Sequence, residues 1–245
     1  MKDKENLINA FSELAPRYER VVDSELNRFW GWSYHGFIDQ LLSSSPIDEQ
    51  DVILDVATGT GVIPGRLIHA GHARDQVHAL DITLSMLRHA SRRLEVQDGR
   101  TSQNLVCASA MEMPYTKSAF SLVICGLATH HMKVEELVQE CHRVLRSGGR
   151  LAIADAGGSR LWKIPGVKFL LRLAAFIYFS LVENKSRAWA ETGAVSNVHS
   201  KEEWDQLLAA SGFREIAILR LKSRFFWVPA PLLINAKKIG EKIHE

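Results

Sequence analysis

Asp55-Val-Ala-Thr-Gly-Thr-Gly61 is the stretch that decides the fold. It continues the apolar run Val52-Ile-Leu54, and Val62–Ala70 follows it with apolar residues at helical spacing. A strand turning into a helix through glycines opens a nucleotide-binding βα unit, because glycine adopts positive φ and lets the backbone approach a ligand. The same alternation repeats outward. Val77-His-Ala-Leu80 reads as a strand ending at Asp81, and Leu84–Leu94 as a helix with Met86, Leu87, Ala90 and Leu94 on one face. Asn104–Ala108 and Ser121–Cys125 read as strands, Val134–Leu145 as a helix and Arg150–Ala154 as a further strand. Ser147-Gly-Gly149 stands where it would cap that helix. Short apolar strands with helical crossovers imply a parallel sheet covered on both faces.

The flanks read differently. Residues 6–42 are helical, with a break at Pro16, and Ser43-Ser-Ser-Pro46 is a linker. Leu161–Val182 is strongly apolar but carries Lys163, Pro165, Lys168 and Arg172. Its uncharged part, Leu173–Val182, falls short of the roughly 20 residues of a membrane span. Lys201–Ser211 is helical, Gly212 stops it, and Glu215–Leu221 with Arg224–Val228 read as a terminal strand pair. The chain thus divides as one domain over 1–245: a helical cover (1–45), a nucleotide-binding core (46–157), an apolar helical insert (158–198), and a C-terminal helix with strands (199–245).

Composition narrows the class. The 245 residues are 46% hydrophobic and 24% charged, ordinary for a soluble globular enzyme. Net charge is +2 with no basic tract, which argues against nucleic acid as a partner. The start, Met1-Lys-Asp-Lys-Glu-Asn6, leads into no apolar signal core, so a cytoplasmic chain is expected. Cys107, Cys125 and Cys141 show no CxxC spacing and the ten histidines no HExxH, so neither disulfide nor metal is expected. Cys107 and Cys125 read as small buried apolar residues.

Glycine turn and Asp81 together suit any ribose-bearing cofactor. A dinucleotide fingerprint wants G-x-G-x-x-G/A after the strand, whereas here Pro64 occupies the third position. Read from Asp55, the pattern is acid-x-small-x-Gly-x-Gly, and it resembles motif I of the class I S-adenosylmethionine-dependent methyltransferases, with Ala57 for the usual glycine. Four further segments follow in that family's order. Asp81-Ile-Thr-Leu-Ser-Met-Leu87 resembles its ribose-acid stretch, and Ala108-Ser-Ala-Met-Glu-Met-Pro114 its adenine segment, with Ser109 for the acid. Phe120–Cys125 resembles its fourth strand. Cys141-His-Arg-Val-Leu-Arg-Ser-Gly-Gly-Arg-Leu151 resembles its R-V-L-x-P-G-G turn.

The resemblance implies a doubly wound Rossmann-like sheet of seven strands, mostly parallel with one antiparallel C-terminal strand, and S-adenosylmethionine as cofactor. By position, Asp55, Ala57, Thr58, Gly59, Thr60 and Gly61 would hold its methionine part. Asp81 would hold the ribose, with Ile82 and Met86 beside it. Ser109, Ala110 and Met111 would flank the adenine, and Cys125 and Gly126 would close the site after the fourth strand. Phe11-Ser-Glu-Leu-Ala-Pro-Arg-Tyr18 with Leu26-Asn-Arg-Phe-Trp30 resembles the N-terminal helices of the ubiquinone and menaquinone C-methyltransferases, which places Tyr18 over the sulfonium. Tyr18 also suits plain packing on the sheet edge. Where those enzymes have G-x-R-N, this chain has Gly126-Leu-Ala-Thr-His-His131, as in methyltransferases of varied small molecules.

Methylating a phenol, amine or activated carbon requires a base near neutral pH, and His130 or His131 at the sheet's carboxyl edge is the candidate, with Tyr34 and His35 behind them. Alternatively, one histidine caps the next helix and the other faces solvent. Segment 161–182 reads as a cover over an apolar substrate pocket, a helix peripheral to a membrane, or a buried helix pair. With Phe225–Ile234 it suggests a small, largely apolar acceptor: quinol, phenol or prenylated compound. The contrasting reading is a cofactor-binding module without catalysis that serves another biosynthetic enzyme.

Overall fold

The computed structural model describes residues 2–98, 104–195 and 197–239. Met1, Ser196 and 240–245, which belong to the expected cover, insert and C-terminal portion, lie outside the described residues, as do 99–103. Seven strands form one sheet in the order β3-β2-β1-β4-β5-β7-β6. They are β1 (Ile53–Val56), β2 (Val77–Asp81), β3 (Leu105–Cys107), β4 (Phe120–Gly126), β5 (Leu145–Asp155), β6 (Phe213–Arg220) and β7 (Leu232–Lys238). Strands β1 to β5 pair parallel, and β7 runs antiparallel to both β5 and β6. The order reverses between β1 and β4, and a crevice opens beyond the strand ends at such a switch point. The expected doubly wound sheet with one antiparallel strand is what forms.

Nine helices surround it among the described residues: α1 (Lys2–Leu14), α2 (Tyr18–Trp30), α3 (Tyr34–Ser44), α4 (Val62–His69), α5 (Leu84–Asp98), α6 (Val134–Val144), α7 (Pro165–Val182), α8 (Lys185–Ala194) and α9 (Lys201–Ala210). Side chains alternate across the strands. Leu54, Val56, Val123 and Cys125 pack toward Leu137 and Val138 of α6 and Trp204 of α9. Ile53, Leu122 and Ile124 pack toward Ile38 and Leu41 of α3 and Leu67 of α4. Each fully buried aliphatic or phenyl group stabilises the fold by about 1.5–3 kcal/mol. Both sheet faces are therefore committed to packing, and only the strand ends remain for chemistry.

Four expectations change. Arg224–Val228 is a turn, closed by the Val228 amide donating to the Phe225 carbonyl at 3.2 Å. Pro229 and Pro231 lack ladder donors, so the last strand begins at Leu232. Ser147-Gly-Gly149 does not cap α6: the helix ends at Val144, Leu145 is already extended, and the glycines lie in a register shift within β5. Cys107 is exposed, because β3 is the sheet edge, while Cys125 and Cys141 are buried. Finally, Pro165 occupies the first turn of α7, where a missing N–H costs nothing, and starts the helix instead of breaking it. The resulting 18-residue helix is long and apolar enough, by length and composition, to cross a membrane.

Candidate active site

The loop after β1 is shaped by its backbone. Ala57, Gly59 and Gly61 have φ of 57°, 55° and 77°. That region favours glycine, which accounts for the family's preference for glycine at position 57. At Gly61 a Cβ would lie 2.9 Å from Ala90 of α5, so any side chain there would force α4 and α5 apart. At Gly59 a Cβ would meet the Tyr18 ring at 3.7 Å. Asp81, at the end of β2, accepts from the Gly59 amide at 2.9 Å and the Thr83 amide at 2.8 Å. Both oxygens keep a lone pair for further donors.

Asp55 lies beneath this loop, 1% exposed, and neither of its oxygens has a hydrogen-bond partner. Burial pushes its pKa up to about 8, against the pull of the nearby Thr58 hydroxyl. A buried carboxyl left without donors is costly unless a ligand supplies one. The loop thus fits a ligand that carries hydroxyls toward Asp81 and a cationic donor toward Asp55, as a ribose joined to an amino acid does. No chemistry of an oxidisable ring is needed to explain it.

Two cavities open at the sheet's carboxyl edge. The first encloses about 660 Å³ of atom-free space, mouth included, and is lined by Ala57, Gly59, Asp81, Ile82, Met86, Ala110 and Met111. The second, about 1840 Å³ by the same measure, lies between α2, α7, α8 and the segment after β4. Phe11, Tyr18, Leu127 and His131 border both. The boundary between the cavities is therefore aromatic and aliphatic, with one imidazole in it.

Behind that boundary lies a buried polar cluster. Asp155, at the end of β5, accepts from the Ala156 amide at 2.6 Å, the His130 amide at 3.0 Å and the Thr129 hydroxyl. Its Oδ1 stands 2.5 Å from His130 Nδ1. Burial alone would lower the His130 pKa, but the Asp155 carboxylate outweighs it and raises it; Asp155 is held low in return despite its own burial. Burial and the neighbouring His130 lower the pKa of His131. His131 Nε2 lies 3.4 Å from Glu191 Oε1, which Arg187 approaches at 2.8 Å. Burial would raise Glu191, yet Arg187 and His131 hold it well below the carboxylate range. Arg187 also meets Glu25 at 3.3 Å, and burial pushes Glu25 up to about 7.

Several expected residues gather on the first cavity: Tyr18, Ala57, Gly59, Asp81, Ile82, Met86, Ala110 and Met111. Others shape it from behind. The Thr60 hydroxyl donates to Glu19 at 2.8 Å and its carbonyl accepts from Arg93. Ser109 Oγ accepts from the Met111 amide at 3.3 Å. Cys125 faces the α6 core, and Gly126 packs against Ile63 and Ile38, so Leu127 and Ala128 form the wall there instead. Neither histidine caps α6 or faces solvent; their side chains are 16% and 8% exposed. Tyr34 is buried against Tyr18, and His35 lies 3.7 Å from Glu19, outside both cavities.

Asp155, Glu191, Arg187 and Glu25 were not foreseen. Asp155 ends a strand at the carboxyl edge, a position that does point to ligand chemistry. The other three lie far along the chain from the histidines, and no spacing links them. His130, His131 and Glu191 bring possible ligand atoms within 4.8 Å of one another. The Arg187 guanidinium already occupies the Glu191 oxygen, which sets a cation where a metal would need room.

A doubly wound sheet with a glycine loop after β1, an acid at the end of β2 and a second cavity across an aromatic boundary is the architecture of a nucleotide-cofactor protein. Residues 54–153 match the methyltransferase domain family. That segment is a methyltransferase domain of the S-adenosylmethionine-dependent kind, with S-adenosylmethionine as its cofactor. It is 26% identical over 94% of its length to the malonyl-[acyl-carrier protein] O-methyltransferase of Marinomonas sp. (strain MWYL1), covering 77% of that protein. It is 28% identical to the ubiquinone/menaquinone biosynthesis C-methyltransferase of Sinorhizobium fredii over 62% of this chain, and spans 59% of that relative's length. In fold it is similar to geranyl diphosphate C-methyltransferase from Streptomyces coelicolor, solved with Mg2+, geranyl diphosphate and S-adenosyl-L-homocysteine. There the TM-score is 0.64 at 16% identity, covering 91% of this chain and 84% of the other.

Proposed function

We propose that this chain methylates a small, largely apolar acceptor held in the second cavity, with His130 as the base that takes the acceptor's proton. The observation that carries the reading is the shared boundary of Phe11, Tyr18, Leu127 and His131 between the two cavities. S-adenosylmethionine supplies an electrophilic methyl group on a sulfonium. Asp55 takes its ammonium group, and the Gly59–Gly61 loop its methionine part. Asp81 accepts from the ribose hydroxyls, and Ala110 and Met111 flank the adenine. Tyr18 screens the boundary from water; burial raises its pKa, so its hydroxyl stays neutral.

His130 donates its Nδ1 proton to Asp155, which leaves Nε2 as the acceptor, and the carboxylate stabilises the imidazolium that forms. His131, kept neutral, donates toward Glu191 and packs on His130 with ring centroids 4.3 Å apart. Glu25, Arg187 and Glu191 join the histidines as the polar part of the cavity wall, and the stretch from Val22 and Phe29 to Ala174 and Tyr178 is apolar, which suits an acceptor with one polar end. The same reading makes α7 a cover over that cavity and gives it contact with a membrane surface.

Incubation with methyl-labelled cofactor and a panel of phenols and quinols of increasing alkyl length tests this. Transfer should rise with apolar length and fall to near background in His130→Ala with cofactor affinity unchanged. Cofactor binding without transfer to any acceptor would favour the non-catalytic module.

A further inference from the structure

The outer side of the acceptor cavity has an apolar face that no other part of the chain covers among the described residues. α7 turns Leu171, Ala174, Ala175 and Tyr178 toward the cavity. Phe169, Leu170, Leu173, Ile177 and Leu181 on the same helix are between 45% and 82% exposed. The turn after β6 adds Phe226 at 95% and Trp227 at 62% exposed. Trp227 also lines the cavity, together with Trp162. The bare apolar surface and the cavity opening are therefore continuous. Scattered exposed apolar side chains are ordinary, but a contiguous stripe rimmed by charge marks an interaction surface.

The charge around it selects the partner. α7 contains no acidic residue, and its two charged residues are Lys168 and Arg172. Lys185 follows it, and Lys222 and Arg224 precede Phe226, all three exposed. A basic rim around bulky apolar and indole side chains complements anionic headgroups above acyl chains. A second copy would set Lys168 and Arg172 against the same cations. α7 cannot have lipid on every side either. Phe176 packs on Trp189 of α8 at 5.2 Å, and Tyr178 on Phe29 of α2 at 6.0 Å. One flank is committed to protein, so the helix lies in the plane of a surface.

We propose that α7 and the Phe226–Trp227 turn dock on an anionic lipid bilayer, and that the acceptor enters the second cavity from the bilayer past Trp162 and Trp227. The entry route rests on the methyl-transfer reading above; the docking does not, and it is measured without turnover. Flotation of the full chain with vesicles of phosphatidylcholine alone, or with about 30% phosphatidylglycerol, reads it directly. Binding is expected to the anionic vesicles, weakened at least tenfold by 0.5 M salt. It should fall at least tenfold in the variant F169S/L170S/F226S, with melting temperature and cofactor affinity as in the parent. K168E/R172E should lose the preference for anionic lipid while keeping the fold. Absence of flotation, equal flotation of the triple variant, or a concentration-dependent dimer that the triple variant abolishes would overturn the docking. Docking without any methyl transfer would leave the surface standing and remove the entry route.

Discussion

His130 Nδ1 and Asp155 Oδ1 stand 2.5 Å apart, the imidazole on the turn after β4 and the carboxylate at the end of the neighbouring β5. The sheet's parallel pairing places them together, since Gly126 lies opposite Ala154. The carboxylate fixes the ring's tautomer and favours its charged form.

Asp155→Asn should therefore lower kcat by about 10²-fold or more, within the range of general-base losses. It should also move the acidic limb of the kcat/KM profile to lower pH. The direction follows from the native arrangement: Asp155 raises the pKa of His130, so the wild-type base is unprotonated only above its ordinary value. A pH–rate profile of the two proteins checks this. An unshifted limb would remove His130 as the base.

Asp55→Asn separates ligand binding from stability. Its folded pKa, about 8, lies above the ordinary 3.8, so the folded chain holds a proton that the unfolded chain releases between those values. That contribution is complete below about pH 4 and is lost as pH rises toward 8. The asparagine variant lacks this loss, so its melting temperature should exceed the parent's at pH 8.5 by more than at pH 5. Each kcal/mol moves the midpoint by about 2–4 °C in a domain of this size. Cofactor affinity, read by calorimetry, should drop about tenfold or more as one charged hydrogen bond is lost.

Asp81→Ala removes the acceptor of the Gly59 amide and, in the proposed cofactor placement, of the ribose hydroxyls. A roughly 10- to 150-fold rise in the cofactor Kd is expected, the equivalent of one or two charge-assisted hydrogen bonds. Isothermal titration measures it. An unchanged Kd would mean the ribose is held elsewhere.

Glu191→Ala leaves Arg187 and His131 buried without their shared carboxylate. Breaking a buried pair from one side costs about 3–5 kcal/mol, so denaturation should show a large loss of stability. Glu191→Gln should recover part of it by keeping the shape and an acceptor oxygen. Equal stability of both variants with the parent would mean the pair contributes nothing.

The loop after β1 and the acid at the end of β2 were legible in sequence because their determinants are local. Asp55 to Gly61 form one turn, and Asp81 ends one strand, so a linear pattern carries the geometry. Cys125 and Gly126 misled because resemblance marks the segment, whereas the alternation of β4 decides which residues face the core; the cavity begins one residue later, at Leu127. The last strand was misplaced because Phe225–Val228 has strand-like residues without ladder donors at Pro229 and Pro231. The acceptor side was least legible. Glu25, Arg187 and Glu191 come from helices at opposite ends of the chain and acquire meaning only when α8 packs on α1 and α2. Pro165 reads as a breaker in a linear scan and acts as a helix start in three dimensions.

The wall shared by the two cavities has an energetic consequence. Phe11 and Tyr18 belong to the N-terminal segment and touch both spaces. Whatever restricts those rings on one side restricts them on the other, so the conformational entropy lost to the first ligand need not be lost again to the second. The two binding free energies are then linked, and the linkage is reciprocal: an acceptor that tightens the cofactor is tightened by it to the same factor.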